Sequence, residues 1–354
     1  MGVMGIPGLP QAWPTTSPAD VGLSPEIGKT LQTAFAAGEY RGLHGLLIAR
    51  RGKLAVEHYF DGADENWGHP LDNQQHGPDM LHDMRSVTKS VVSLLYGIAL
   101  AEGRVPDTST RLFDALPDYA ALATTPLHRR ITIGHVLSMR MGIAWNEDMT
   151  YADPRNGERE MEAASDRYHY VLSRPVAEAP GKRWVYCGGA TALLGLLIAR
   201  GTGQRLEAYA AERLFAPLGI FEWEWVNGSD GFAAASSGLR LRARDMARIG
   251  QLMLDRGQAF GRRVVPPGWL AVSFKPRAVV ESGLHYGYQW WIGHLLQSGK
   301  PWTAAFGNGG QRLFAIPSLD LTVAILAGNY NKADQWKMPV RLMSRIVIPS
   351  IIAS

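Results

Sequence analysis

The chain holds a single cysteine, Cys187, among its 354 residues. One thiol excludes an intramolecular disulfide and fits a reducing compartment. Long hydrophobic runs are also missing: Ser90 to Leu100 has the length of a core helix, not of a bilayer span. The N-terminus carries no basic head followed by an apolar stretch, so no secretory signal is visible. The expectation is a cytoplasmic protein, with the periplasm open if a leader has been removed. Charge of one sign is scarce. The net charge is +4, and the basic residues are scattered apart from pairs such as Arg50-Arg51, Arg129-Arg130 and Arg262-Arg263. A nucleic-acid surface needs such residues clustered on one element with aromatics between them, so no nucleic-acid partner is expected.

Several signatures are absent as well. There is no G-x-S-x-G elbow, no H-E-x-x-H and no H-x-H pair. Gly201-Thr202-Gly203 lacks the third glycine and the preceding strand of a dinucleotide site. His69, His76 and His82 are close in sequence, but their spacing matches no ligand pattern and their stretch is polar, so they are expected to be solvated. No metal and no cofactor are expected.

What is present is an ordinary globular composition, 46% hydrophobic and 19% charged. Residues 1–25 are rich in Gly and Pro and read as an extended leader on the surface. Ile27, Leu31 and Phe35 at helical spacing predict a first helix over 26–38. Two apolar runs, 45–49 and 54–60, are separated by Arg50-Arg51-Gly52-Lys53 and predict a hairpin. Residues 61–82 read as a long polar surface loop, and 146–160, charged and without periodicity, as a mobile loop. The middle of the chain is mainly helical, with strong helices from Ser86, from Ile131 and from Thr191 to Arg200. Strands return at 287–292, 313–316 and 321–326, and a last helix over 338–352 is expected to lie on the sheet. Both ends thus supply strands and the middle supplies helices. The expected fold is α+β, an α/β sandwich: an antiparallel sheet flanked by helices and interrupted by an all-helical insertion. Its domains would be 1–85 plus 230–354 (α/β) and 86–229 (helical), with the site at the seam.

The chemistry is concentrated in Asp83-Met84-Arg85-Ser86-Val87-Thr88-Lys89-Ser90. Ser86 is the only serine with a lysine three residues later. On a helix, i and i+3 share a face, so hydroxyl and amine can meet near the positive end of the helix dipole. The lysine works as a base only if burial or nearby charge lowers its pKa, and the apolar Val91, Val92, Leu94, Leu95 and Ile98 favour burial. Such a pair needs a proton relay and an oxyanion hole. Tyr186, in the Gly-flanked turn Trp184-Val185-Tyr186-Cys187-Gly188-Gly189, is the relay candidate; the plainer reading is a half-buried tyrosine. Phe306-Gly307-Asn308-Gly309-Gly310-Gln311 is the oxyanion candidate, with the Ser86 N–H as second donor; the plainer reading is a Gly-rich hairpin turn. Trp184, Trp223, Trp225, Trp290, Trp291 and Trp302 are candidates to line an acyl pocket or simply to pack the core.

In this order, Ser86-Val87-Thr88-Lys89, Tyr186-Cys187-Gly188 and Asn308-Gly309-Gly310 resemble the three motifs of the serine β-lactamase and penicillin-binding-protein superfamily. The resemblance is closest to the class C-like branch with its esterases and aminohexanoate-dimer hydrolases, and covers nearly the whole chain. Met139-Arg140-Met141-Gly142, Ala179-Pro180-Gly181-Lys182 and the stretch from Thr202-Gly203-Gln204 to Pro217-Leu218-Gly219 resemble further family segments. The resemblance implies a β-lactamase/transpeptidase-like fold with Ser86 as acylated nucleophile, Lys89 as base and Tyr186 as proton relay. The backbone N–H groups of Ser86 and Gln311 would form the oxyanion hole. Asn308, Gly309, Gly310 and Gly188 would line the substrate site.

Two departures are informative. Gly188 stands where many β-lactamases and DD-peptidases have an asparagine holding the substrate's acylamide. Asn308 stands where they have a cation facing the substrate carboxylate. Both losses favour ester or amide substrates over lactams. Trp145-Asn146-Glu147-Asp148 resembles the aminohexanoate-dimer hydrolase branch, in which a loop tyrosine contacts the substrate amide; Tyr151 and Tyr168 are the candidates. The implied protein is a cofactor-independent serine hydrolase of small esters or amides. The alternatives are a β-lactamase or D-alanyl-D-alanine carboxypeptidase, or a protein that binds acyl or peptidoglycan-like ligands without turnover.

Overall fold

The computed structural model describes residues 13–352, apart from residue 282. Helix α1 (Ile27–Ala36) buries Ile27 and Leu31, as the spacing predicts. It leads into the hairpin β1 (Leu43–Arg50) and β2 (Lys53–Tyr59). The predicted leader falls partly outside the described residues, which begin at 13. Its remainder lies along β2, with Thr16 N–H donating to Leu54 O at 3.0 Å and Leu54 N–H to Pro14 O at 2.9 Å.

Residues 61–82 are not the surface loop that their polarity suggests. They form the hairpin β3 (Gly62–Asn66) and β4 (His69–Gln74), then β5 (Leu81–Asp83). Asp64, His82 and Asp83 are buried there, Asp64 paired with His82 at 3.5 Å and Asp83 with Arg85 at 3.0 Å.

The helices follow in sequence: α2 (Val87–Ala101), α3 (Leu112–Ala115), α4 (Ile133–Leu137), α5 (Gly157–Ala163), α6 (Arg167–Leu172), α7 (Gly188–Thr202) and α8 (Leu206–Ala210). Residues 146–156 form no helix or strand, as the loop reading expects, but α5 starts at Gly157 and corrects the last residues of that range. Asn156 caps it by accepting from the N–H groups of Glu158 and Arg159 at 3.0 and 3.3 Å. Strands β6 (Trp223–Trp225) and β7 (Leu239–Arg242) join β5 in a small sheet ordered β5-β7-β6. After α9 (Ala243–Leu254), the short pair β8 (Gln258–Ala259) and β9 (Arg262–Arg263) and α10 (Pro267–Ser273), the chain returns to strands.

These are β10 (Ala278–Glu281), β11 (Leu284–Tyr286), β12 (Trp291–His294), β13 (Pro301–Gly307), β14 (Gln311–Ile316) and β15 (Leu321–Ala327). The strand expected over 287–292 begins at Trp291, since Gly287–Trp290 turns between β11 and β12. Helix α11 (Lys337–Leu342) continues as helical turns to Val347.

The main sheet has eight strands in the order β10-β11-β12-β13-β14-β15-β1-β2, antiparallel throughout. The fold is α+β. Its central strands are apolar at consecutive positions, so both faces must be covered. Leu46, Ile48, Phe314, Val323 and Ile325 pack on one side with Leu31, Leu342 and Val347. Leu47, Leu313, Ala324 and Leu326 pack on the other, in one core with α2, α7 and α9. Each such side chain contributes roughly 2 kcal/mol of burial.

Helix α2 is buried at every position from Val87 to Ala99, as an all-round apolar helix must be. Its polar residues are spoken for: Ser90 Oγ donates to Gln289 O at 2.6 Å and Ser93 Oγ to Tyr288 O at 2.8 Å. Gln289 ties this helix to α7 through Thr191 (2.8 Å) and to α4 through Leu137 O (2.9 Å). The start of α2 is therefore a fixed point. Among the described residues no helix is long and apolar enough to cross a membrane.

Candidate active site

Ser86 is the residue from which α2 departs. The preceding Arg85 adopts φ 47°, a left-handed conformation costly for a side chain with a Cβ. Its guanidinium is held at 3.0 Å from Asp83 and 2.8 Å from Glu65, and these pairs offset the strain. The Ser86 N–H makes no hydrogen bond among the described residues.

One turn on, Lys89 is 1% exposed at its side chain. Its Nζ donates to Ser86 Oγ at 3.1 Å, to the Ser236 carbonyl at 3.1 Å and to Glu158 Oε2 at 3.2 Å. Burial alone would push the lysine pKa down. The Glu158 carboxylate, with Tyr186 and Glu147 behind it, more than reverses this and holds the pKa above the ordinary lysine value. Lys89 therefore holds its proton more firmly than an ordinary lysine. The apolar helix buries it, as the sequence suggests, but a carboxylate from α5 sets its charge.

Glu158 is itself buried and has a second partner in Ser236 Oγ, which donates to Oε1 at 2.9 Å. Burial would raise its pKa; Lys89, followed by a hydrogen bond from Glu147, pulls it well down. Glu147 goes the other way: burial and then the neighbouring Glu158 charge push it up, so it holds its proton. It accepts from the Gly188 N–H and the Trp145 indole N–H. The two carboxyls share one proton beside the lysine.

Gly188 explains how this pair fits. A Cβ on residue 188 would lie 2.6 Å from Glu158 Oε2 and 3.0 Å from its carboxyl carbon. The carboxylate occupies the space that a side chain at 188 would need.

Tyr186 precedes α7 in a turn anchored by Val185 N–H to Met139 O at 3.0 Å. Its ring lies under Lys89, with Nζ 4.9 Å from the centroid. Burial raises the phenol pKa and Lys89 draws it back part of the way. Tyr151 also reaches the site, its hydroxyl 3.4 Å from both Glu147 Oε1 and Glu158 Oε2. Both phenols lie close enough to Ser86 Oγ to feel its dipole, although the Oγ hydrogen bond of good geometry is with Lys89. Tyr168 is elsewhere, against Phe232 with ring centroids 6.1 Å apart. Of the two loop tyrosines, the structure brings Tyr151 to the serine.

Asn308, Gly309 and Gly310 form the turn between β13 and β14. Just before it, Gly307 presses on the segment leading to Ser86: a Cβ there would lie 2.4 Å from Met84 O. Asn308 is engaged with Asn331, in a pair of 2.9 Å hydrogen bonds. The Gly309 N–H donates to Gln335 Oε1, and the Gly310 N–H to Gly307 O at 3.3 Å. Gln311 begins β14, its side chain bracing the hairpin through Ala327 N–H at 2.9 Å. Next to it, the buried Arg312 guanidinium stacks on Phe306, 4.3 Å from the ring centroid, and feels the Tyr186 hydroxyl.

Of the six tryptophans, Trp184 and Trp291 stand beside Tyr186, each with its ring centroid 5.9 Å away. Trp291 continues the wall to Phe306 at 5.0 Å. Trp223 and Trp225 pack on Phe215, Trp290 on Phe274 and Trp302 on Phe314. Glu158, Ser236 and Arg312 are the site residues that the sequence did not point to, and Glu147 lay in a resembling stretch without a role of its own. The Asn156-Gly157-Glu158 cap was a local signal near Glu158.

The model of the Beta-lactamase family matches residues 31–336. The chain belongs to the Beta-lactamase family. A 6-aminohexanoate-dimer hydrolase of Paenarthrobacter ureafaciens is 26% identical over 272 residues, covering 71% of this chain and 67% of that protein. Among solved structures, one from Bacillus anthracis given provisionally as a 6-aminohexanoate-dimer hydrolase superposes with a TM-score of 0.75 at 18% identity, covering 96% of this chain and 87% of its own. EstCE1, a hydrolase with promiscuous acyltransferase activity, superposes with a TM-score of 0.70 at 14% identity, covering 92% and 99%. The family and its relatives make this chain a serine-hydrolase-type enzyme. The structural likenesses agree with the α+β sheet-and-helix architecture.

Proposed function

We propose that this protein hydrolyses small linear amides or esters through an acyl-enzyme on Ser86. The observation that carries the reading is the 3.1 Å contact of Lys89 Nζ with Ser86 Oγ, with the Tyr186 ring centroid 4.9 Å from the same Nζ. For Lys89 to act as base its extra proton must first leave to solvent or to another group as substrate enters, because at rest Glu158 at 3.2 Å holds that proton on the amine. The neutral amine then takes the Ser86 proton as Oγ bonds to the substrate carbonyl carbon. The oxyanion is received by the N–H groups of Ser86 and Gln311. As the C–N or C–O bond breaks, Tyr186 gives its proton to the leaving atom and regains one from Lys89. Water attacks the ester by the same route in reverse and frees Ser86.

Amide and ester substrates are favoured over lactams for two reasons. The position of the acylamide-binding asparagine is a glycine whose side-chain space holds Glu158. The third motif offers Asn308, already bonded to Asn331, and no exposed cation. Arg312, just after that motif, is buried and stacked on Phe306. The hydrolysis of aminohexanoate dimers by the Paenarthrobacter relative supports a linear amide with an aliphatic acyl chain, for which Trp184 and Trp291 offer an apolar wall. The substrate would be a small molecule, and the chemistry needs no cofactor.

The test is intact-mass analysis after incubation with p-nitrophenyl butyrate, linear aminohexanoate dimer and nitrocefin, with product release followed in parallel. A transient adduct and turnover of the ester or the dimer, both lost in Ser86→Ala, are expected. Wild-type turnover in Ser86→Ala would sink the assignment. Nitrocefin turned over faster than the other two would favour the β-lactamase alternative, and no adduct or turnover with any of the three would favour the binding protein.

A further inference from the structure

Away from Ser86, on the side of the chain that leads to it, three histidines and an aspartate converge in the interior: His44 of β1, Asp64 of β3, His76 after β4 and His82 of β5. One ligand-capable atom from each lies within 4.8 Å of all the others. Their side chains are 1%, 0%, 3% and 1% exposed respectively. This overturns the expectation that His76 and His82 are solvated; His69 alone of that group is exposed.

The separations are those of a coordination shell. His44 Nδ1 is 2.9 Å from His82 Nε2 and 3.8 Å from Asp64 Oδ1. His82 Nε2 is 3.5 Å from Asp64 Oδ1, and His76 Nε2 is 3.3 Å from Asp64 Oδ2. A tetrahedral ion with bonds near 2.0–2.1 Å places its ligands about 3.3 Å apart.

Proton placement points the same way. His76 Nδ1 lies 3.1 Å from the Phe60 carbonyl and His82 Nδ1 3.1 Å from the Asp83 carbonyl. A carbonyl only accepts, so both Nδ1 atoms carry hydrogens, and each neutral ring turns a bare Nε2 lone pair inward. His44 Nδ1 can donate to His82 Nε2 at 2.9 Å, but His76 Nε2 then faces the Asp64 carboxylate at 3.3 Å, two acceptors in a dry interior with no positive charge between them. A proton on His76 would serve Asp64 alone. It would leave His44 Nε2, buried without a hydrogen bond of good geometry, unexplained. With an ion at the centre, His44 binds through Nδ1. His76 and His82 are already oriented by backbone carbonyls on their outer nitrogens, the usual support for metal-bound histidine. Asp64 is steadied in turn by the Tyr330 hydroxyl at 2.8 Å.

We propose that His44, Asp64, His76 and His82 form a binding site for a divalent transition-metal ion, zinc before the others, with a structural role. The donor set of three imidazoles and a carboxylate suits zinc, cobalt or nickel and is unsuited to calcium or magnesium. Four protein ligands in a buried site leave no position for substrate. The ion would tie the β3–β4 hairpin to β1 and to β5, the strand that delivers Met84, Arg85 and Ser86. Its contribution to the enzyme would be to hold the nucleophile segment, which has Arg85 in its left-handed conformation.

The test uses the full chain without a histidine tag, expressed in zinc-supplemented medium. Elemental analysis should give about one metal ion per chain. Stripping with dipicolinate should lower the melting temperature by several degrees, and added Zn²⁺ should restore it. Co²⁺ added to the stripped protein should give the intense visible bands of four-coordinate cobalt, and Asp64→Asn and His76→Gln should lose both the metal and those bands. Because metal content and cobalt spectrum are read first on the wild-type chain, a variant that fails to fold does not blunt the experiment. A wild-type chain that binds under a tenth of an equivalent after incubation with Zn²⁺, Co²⁺ and Ni²⁺, with a melting temperature indifferent to chelator, would overturn the proposal. The cluster would then be held by its own hydrogen bonds, His76 to Asp64 and His44 to His82.

Discussion

Glu158 Oε2 lies 3.2 Å from Lys89 Nζ, in the volume that a side chain at position 188 would fill. The acid that sets the lysine's charge and the glycine that departs from the family's usual asparagine are therefore one feature. Removing the β-carbon at 188 is what lets α5 put a carboxylate against the Ser86–Lys89 pair.

The first prediction concerns that space. Gly188→Ala places a Cβ 2.6 Å from Glu158 Oε2, so the carboxylate must move away from Lys89. A displacement of this order at a catalytic contact costs about a hundredfold in rate. Steady-state kinetics with an active ester should show kcat falling about that much, while KM changes less. Gly188→Asn should suffer the same loss and gain no nitrocefin turnover. An unchanged kcat in Gly188→Ala would show that the Glu158 position does not matter to the chemistry.

The acid side of the stability profile should carry the Glu158 signature. Its folded pKa is depressed below the ordinary 4.5, so its contribution is present above that value and is lost as pH falls through the depressed one. Melting temperatures between pH 6 and 3 should fall more steeply in the wild type than in Glu158→Gln, which has no proton to take up. At pH 7 the variant should be the less stable by about 3 kcal/mol, the scale for stranding one partner of a buried ion pair. Equal acid slopes would contradict the ion pair.

Glu147 has the opposite sign. Its folded pKa is raised above the ordinary 4.5 by burial and by Glu158. Its favourable state is the protonated one, fully present below 4.5 and lost as pH rises through the raised value. The wild type should lose stability on the alkaline side, as two adjacent carboxylates come to share one dry site. Glu147→Gln is neutral and isosteric, and its amide can donate to Glu158 as the acid does. Thermal melts from pH 6 to 9.5 should therefore be flatter for the variant, and a slope as steep as that of the wild type would rule out Glu147 as the titrating group.

The division between what was legible in the sequence and what was not follows from chain separation. Ser86 and Lys89 meet because they are a helical turn apart, and that spacing is written locally. Short apolar runs and turn residues disclosed β1, β2, β14 and β15 in the same way. Glu158 lies 69 positions from Lys89 and His44 lies 38 from His82, so nothing local records either meeting. Periodicity also misleads for such residues. A buried charge looks like a solvated one until its partner is known, which is why α5 read as a loop and the β3–β4 hairpin as polar surface. Arg312 was masked by its neighbours, since the turn preceding it drew attention to backbone donors and not to a cation beneath Phe306.

Tyr151 offers the sharpest test of substrate class. Its hydroxyl stands 3.4 Å from Glu147 and Glu158 and faces Ser86 Oγ, and burial, then those carboxylates, keep it a phenol. A neutral phenol at this place can donate a hydrogen bond to a leaving nitrogen. An amide nitrogen needs that help, because the amine leaves only when protonated. An activated phenolate leaves without it. Tyr151→Phe should accordingly reduce kcat for the linear aminohexanoate dimer by about 10² while changing p-nitrophenyl butyrate turnover only a fewfold. Tyr186→Phe, which removes the relay itself, should reduce both. Parallel kcat measurements on the two substrates separate the roles: equal losses in Tyr151→Phe would make Tyr151 part of the acylation machinery common to esters and amides, and no loss with either would remove it from the site.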